Sequence, residues 1–217
     1  MKKMLDKKQV KEVINILSEL YPDAKAELNF ANNFELLIAT ILSAQCTDVQ
    51  VNKTTRELFK NYKKPEDYLS LTEEELGQRI RSCGFYNTKS RNILATCRLL
   101  IEKFDGQVPD TLEELMILPG VGRKTANVVL SNAFSKPAIA VDTHVFRVSN
   151  RIGLADSKNV LGTERDLMNN IDKDTWSKAH HMLIFHGRRI CKARRPLCER
   201  CPLTDLCIYF KENIAEV

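Results

Sequence analysis

A chain of 217 residues with 43% hydrophobic content holds enough apolar material for a packed core, in one large domain or two small ones. The opening MKKMLDKKQV is not followed by an apolar run, and apolar stretches elsewhere stop after a few residues. That argues against a secretion signal or a membrane-spanning helix and places the expected protein in the cytoplasm. A formal net charge of +5 suits a polyanionic partner without demanding one.

Taken in chain order, the apolar spacing is helical almost throughout. Val10, Val13, Ile14 and Leu17 fit an i, i+3, i+4, i+7 stripe that closes at Tyr21-Pro22, and Phe34, Leu37, Ile38, Ile41 and Leu42 repeat it. Lys64-Pro65 is the next break. Thr72 with Glu75 then forms a capping box, with Leu71 and Leu76 placed as a hydrophobic staple. Further stops fall at Gly84 and at Asp105-Gly106, and Thr111 with Glu114 repeats the box. Pro119-Gly120 and Gly153 punctuate the rest. Roughly nine or ten short helices follow from these signals, with strand alternation hardly visible, so the expected class is all-α. No linker, low-complexity tract or internal repeat marks a domain boundary.

The segment from Leu115 to Leu130, LMILPGVGRKTANVVL, reads as a helix, a break at Pro119, glycines at 120 and 122 around Val121, and a new helix from Arg123. This is a helix-hairpin-helix. Gly120 and Gly122 adopt backbone angles closed to other residues and carry no side chain, so amide N–H groups and the following helix N-terminus approach a phosphate closely. Such contact positions DNA without reading its sequence. The spacing between glycines required of a nucleotide-binding P-loop is missing, which removes an ATPase reading.

Four of the seven cysteines, Cys191, Cys198, Cys201 and Cys207, follow the pattern C-x6-C-x2-C-x5-C, while Cys46, Cys83 and Cys97 are scattered among helical positions. Nothing indicates export, so disulfides are disfavoured and the four form a thiolate ligand set. Zinc and a 4Fe-4S cluster both take four thiolates; the compact single loop tilts the balance towards iron-sulfur. The expected role is a structural staple for a basic loop. From Gly187 to Cys201, Arg188, Arg189, Lys192, Arg194, Arg195 and Arg200 stand against the single acid Glu199. His180, His181 and His186 share one predicted helix, but their spacing spreads them over different faces, and each reads as a structural histidine rather than a ligand.

LPGVGRKTANVVL, then AVDTHVFRVSNR, then the four-cysteine tail together resemble the endonuclease III family of DNA repair enzymes, and LSAQCTD at 42–48 and GFYNTK at 84–89 look like segments of that family. The resemblance spans nearly the whole chain. It implies an all-α, two-domain helix-hairpin-helix glycosylase fold. A six-helix domain near 26–136 carries the hairpin at about 111–132. A second, discontinuous domain made of 1–25 and 137–217 holds a 4Fe-4S cluster in the 191–207 loop. It implies a monomer acting on duplex DNA that contains a damaged base or an abasic site. Lys124 would be the catalytic lysine and Asp142 the catalytic carboxylate, facing each other across a DNA cleft.

By the same resemblance Pro119, Gly120, Val121, Gly122 and Arg123 hold the DNA backbone, Gln45 meets the orphaned partner base, and Phe85 wedges into the vacated stack. The family often has leucine at the wedge position, which leaves the depth of the bulkier Phe85 open. Asp48, His144 and Arg147 lie in matching motifs and are expected along the DNA groove.

The implied chemistry suits these residue types. A neutral lysine amine attacks the sugar C1′, displaces the base and forms a Schiff base whose acidified neighbouring proton permits β-elimination of the 3′ phosphate. Lys124 falls in the first turn of a predicted helix, where the dipole and Arg123 both oppose the ammonium form. Asp142 appears at another helix start, as an N-cap whose charge steadies the positive sugar as the base departs. Two rivals stand beside this reading: a monofunctional glycosylase of the same superfamily, which activates water and lacks the lysine, and a non-catalytic DNA-binding or redox-sensing protein.

Overall fold

A computed structural model describes residues 4–214, and every regular element among them is helical. The chain divides into two compact units, one made of Met1–Ala26 with Pro137–Val217, the other of Glu27–Lys136. No helix among the described residues is long and apolar enough to cross a membrane.

The Glu27–Lys136 unit contains α2 (Asn33–Leu42), α3 (Asp48–Asn61), α4 (Pro65–Tyr68), α5 (Glu73–Ile80), α6 (Tyr86–Phe104), α7 (Leu112–Met116) and α8 (Arg123–Ala133). Its core is built on α2. Residues 34–42 of that helix are buried around the whole circumference, because α3, α6 and α8 all pack against it. Leu36, Leu37, Ile38 and Leu42 are each 0% exposed, and every such side chain contributes about 1.5–3 kcal/mol relative to leaving it in water. Thr72 caps α5 in a complete capping box with Glu75. At α7 the arrangement differs from the expected box: Thr111 Oγ1 accepts from the Glu114 amide, but its hydroxyl donates to the Glu114 carboxylate at 2.6 Å, so that carboxylate serves the side chain of the cap.

The other unit joins α1 (Lys7–Leu20) to α9 (Thr143–Ile152), α10 (Val160–Asn170), α11 (Trp176–Arg189) and α12 (Ile208–Asn213). The stripe Val10, Val13, Ile14 and Leu17 packs into a cluster with Val145, Val148, Ile152, Met182, Leu183 and Leu203. Two polar side chains buried there find partners, Trp176 Nε1 donating to the Ile171 carbonyl at 2.9 Å and His180 Nδ1 lying 2.7 Å from the Ala140 carbonyl, whereas the buried Ser149 hydroxyl has no hydrogen-bond partner among the described residues. Twelve α-helices are therefore present among the described residues, more than the nine or ten that periodicity suggests. The difference lies in α4, α7 and α12, which at four to six residues are too short to display an apolar stripe.

Candidate functional site

In the Glu27–Lys136 unit, α7 and α8 are joined by a tight turn. The Val121 N–H donates to the Leu118 carbonyl at 3.0 Å, with Pro119 and Gly120 at the central positions and Gly120 at φ +81°, the arrangement of a type II turn. The hydroxyl of Thr96 on α6 donates to the Pro119 carbonyl at 2.9 Å and fixes the turn to the core. Two sequence expectations are corrected here. Gly122 is extended (φ −89°), so only Gly120 uses a conformation reserved for glycine. Val121 is 6% exposed and its amide is spent within the turn, so it anchors the hairpin from below rather than meeting a phosphate.

What faces outward is the start of α8. No side chain caps that helix, and a Cβ placed on Gly122 would meet nothing within 4 Å, so the first-turn N–H groups open onto bare space suited to an anion. Arg123 and Lys124 occupy the first two positions of this helix and both are exposed.

Gln45 and Phe85 share an unusual backbone. Both are left-handed, at φ 53° and 48°, and both are exposed, Phe85 to 64%. This conformation costs a non-glycine residue about 1–2 kcal/mol, and the surrounding structure must hold it. Lys89, which sequence reasoning missed, does so from within. Its side chain is 5% exposed, and its Nζ donates to the Leu42 carbonyl at 2.7 Å and the Cys83 carbonyl at 2.8 Å. Burial lowers its pKa, while the Cys83 and Cys46 thiols pull in the opposite direction. One buried amine thus pins the end of α2, just before Gln45, to the turn just before Phe85. A lysine in a helical stretch carries no sequence signal for such a role. Asp48 opens α3 behind its Thr47 cap.

In the unit of the two chain ends, Asp142 caps α9, its Oδ1 accepting the His144 and Val145 amides at 2.8 Å each. Arg147 is tied to the cysteine loop. Its guanidinium donates to the Cys191 carbonyl at 3.1 Å and 3.0 Å and to the Gly187 carbonyl at 2.9 Å, and touches His144 Nδ1 at 3.2 Å. A planar fork with its donors so engaged is a clamp on the cysteine loop. Arg151, which the sequence did not single out, is a second clamp: it donates to the Lys192 and Ala193 carbonyls at 2.7 Å and 3.0 Å and stacks 4.6 Å over the Tyr209 ring. The six basic residues of this stretch are exposed.

Cys191, Cys198, Cys201 and Cys207 are all half-buried free thiols lining one recess, with Ile152 and Phe210 on its apolar wall. The Cys201 thiol is pushed up to about 11, by burial above all and by Cys207, Cys191 and Cys198 in turn, against a Leu203 amide that pulls it down. Burial likewise raises Cys207 and Cys198. Four crowded, dehydrated thiols ionise together only around a positive centre, as soft-metal ligation provides. Among the described residues no three His, Cys, Asp or Glu side chains converge on a single-ion site. Burial lowers His181 to about 3 and His186 to about 4, and His186 is held by the Tyr21 hydroxyl at 3.1 Å.

Comparison with known proteins gives this geometry its setting. Residues 38–173 match the HhH-GPD superfamily base excision DNA repair proteins, and residues 191–207 match the iron-sulfur binding domain of endonuclease III. Endonuclease III of Bacillus subtilis is 51% identical over 205 residues, covering 94% of each chain. The chain belongs to the endonuclease III family. Endonuclease III of Escherichia coli K12 is 48% identical over 203 residues, 94% of this chain and 96% of that one. A solved structure of a trapped endonuclease III–DNA covalent intermediate, an estranged-adenine complex, matches with a TM-score of 0.91 and 53% identity, covering 96% of this chain and 98% of that one. A thermostable thymine-DNA glycosylase matches at a TM-score of 0.85 and 25% identity, over 94% and 97% of the two chains. The cofactor of this chain is accordingly a 4Fe-4S cluster.

Proposed function

We propose that Lys124 is the nucleophile with which this base excision repair enzyme, a DNA glycosylase and abasic-site lyase, removes oxidised pyrimidines from duplex DNA. The observation that carries the assignment is its position: an exposed amine in the first turn of α8, directly after the uncapped glycine hairpin, in a chain of the endonuclease III family. Phosphate held at the α8 N-terminus sets the strand beside that amine.

In its neutral form the Lys124 amine adds to C1′ as the glycosidic bond breaks and the base leaves with its electron pair. Loss of an amine proton leaves an aminal, the C1′–O4′ bond then breaks as O4′ takes up a proton to give the ring-opened iminium, and loss of a C2′ proton expels the 3′ phosphate by β-elimination. Asp142 serves the same sugar. Its Oδ1 is occupied by two amides of α9, which leaves Oδ2 to oppose the growing positive charge and to take the lysine proton. Gln45 and Phe85 fill the gap left by the extruded nucleotide.

The division of labour follows the chain: residues 26–136 engage DNA, and residues 1–25 with 137–217 form the cluster domain. The 4Fe-4S cluster, held by Cys191, Cys198, Cys201 and Cys207, supplies four-point fixation of the basic loop between them. The setting is the cytoplasm, at the nucleoid.

Borohydride reduction of the Schiff base tests the nucleophile. Wild type should yield a covalent protein–DNA adduct on an abasic-site duplex, and Lys124→Gln none. Undiminished trapping by that variant would overturn the assignment, and absence of trapping with wild type would favour a monofunctional, water-activating glycosylase.

A further inference from the structure

Two cysteines lie outside the cluster but beside the turns that carry Gln45 and Phe85. Cys46 follows Gln45 directly, and Cys83 ends the Arg81–Cys83 turn before Gly84. Lys89 holds the main chain of both turns, and the Cys46 and Cys83 side chains both act electrostatically on its amine. Cys83 is 2% exposed, with its thiol donating to Thr54 Oγ1 at 3.4 Å, whereas Cys46 is half-buried; both are free thiols. A reachable thiol backed by a buried one is the layout of an attacking and a resolving cysteine.

We propose that Cys46 and Cys83 form a reversible redox latch, closing to a disulfide that ties the Gln45 turn to the Phe85 turn and suppresses engagement of damaged DNA. The oxidant is a small disulfide such as oxidised glutathione. The Cys46 thiolate attacks one of its sulfurs, forming a mixed disulfide and expelling one thiolate. Cys83 then attacks Cys46 Sγ and expels the second. The protein loses two electrons and two protons, and the oxidant becomes two thiols.

Burial and the adjoining Cys83 raise the Cys46 pKa, against Lys89 and the Thr47 amide, so the latch stays open until oxidant is abundant. Closure brings the two sulfurs to about 2.05 Å and shifts two turns already held in left-handed conformations. A misplacement of about 1 Å in groups that position a reacting partner can cost on the order of a hundredfold. The effect on repair rests on the DNA roles assigned above to Gln45 and Phe85; the crosslink does not.

The cluster-loaded protein is treated with oxidised glutathione, alkylated, digested without reduction and mapped by mass spectrometry, with nicking measured on the same samples. The expected result is a Cys46–Cys83 linked peptide pair and a tenfold or greater loss of nicking, reversed by dithiothreitol with the cluster's visible absorbance unchanged. Cys46→Ser should form no link and keep its activity under oxidant. Recovery of Cys46 only as a glutathione adduct or an alkylated thiol, with Cys83 unlinked, would overturn the latch and leave the Lys124 assignment untouched. A link that forms without loss of nicking would instead overturn the switch together with the DNA roles of the two turns.

Discussion

Asp142 carries two duties in one side chain, and substitutions separate them. Replacement by Ala removes the acceptor of two α9 amides and should cost about 0.5–2 kcal/mol in urea unfolding, whereas Asn keeps an N-cap oxygen and should cost little. Both variants should lose at least tenfold in nicking, so activity and stability part company in Asp142→Asn. A second residue-scale consequence concerns acid. His181 titrates at about 3 in the folded chain because it is buried beside His180, against about 6.5 when unfolded. The unfolded chain therefore binds the extra proton between those values, and stability present above pH 6.5 is lost as pH falls through that window, at roughly 1.4 kcal/mol per pH unit. His181→Gln should flatten this acid limb in unfolding titrations, and an unchanged limb would contradict the burial argument. Residue-scale legibility was uneven. The cap at Asp142 could be read because its partners lie two and three positions on. Nothing in the sequence announces that Gln45 and Phe85 turn left-handed, or that Arg147 spends its donors on carbonyls 40 and 44 positions away.

At the scale of elements, the hairpin's two glycines differ, and the difference can be measured. Gly120 sits at φ +81°, where an added Cβ would lie 3.0 Å from the Asn92 amide nitrogen, so Gly120→Ala should destabilise the fold by about 1–3 kcal/mol. Gly122 is extended with open space beside it, so Gly122→Ala should unfold normally yet bind duplex DNA several-fold more weakly, because its methyl group intrudes where a phosphate approaches the helix start. Equal stability losses in the two variants would contradict this division. Gly-Val-Gly was legible as a hairpin, but the distinct conformations of its glycines were not, since both read alike without the turn that Leu118 and Val121 close. Long helices such as that of Val10 to Leu17 declared themselves by spacing. The four-residue α4 has a proline start and no room for a repeat.

For the whole molecule, the cluster loop is fastened to the core of one unit: Cys191, Cys201 and Cys207 pack against it and Leu203 is 0% exposed within it. Removing iron with a chelator should therefore release amide protection in residues 4–26 and 137–214 while residues 27–136 keep theirs, as followed by hydrogen exchange. Uniform loss across the chain would show that the cluster supports more than its own unit. The ligand set was legible because four cysteines crowd a short stretch, whereas the two arginine clamps come from α9, whose partners only the fold supplies. The shared core of the chain ends also sets an order of events on the ribosome. The stripe of α1 emerges first but packs against Val145, Met182 and Leu203, made last. Its apolar face therefore gains its native partners only after the intervening 110 residues and the segments beyond them have been made.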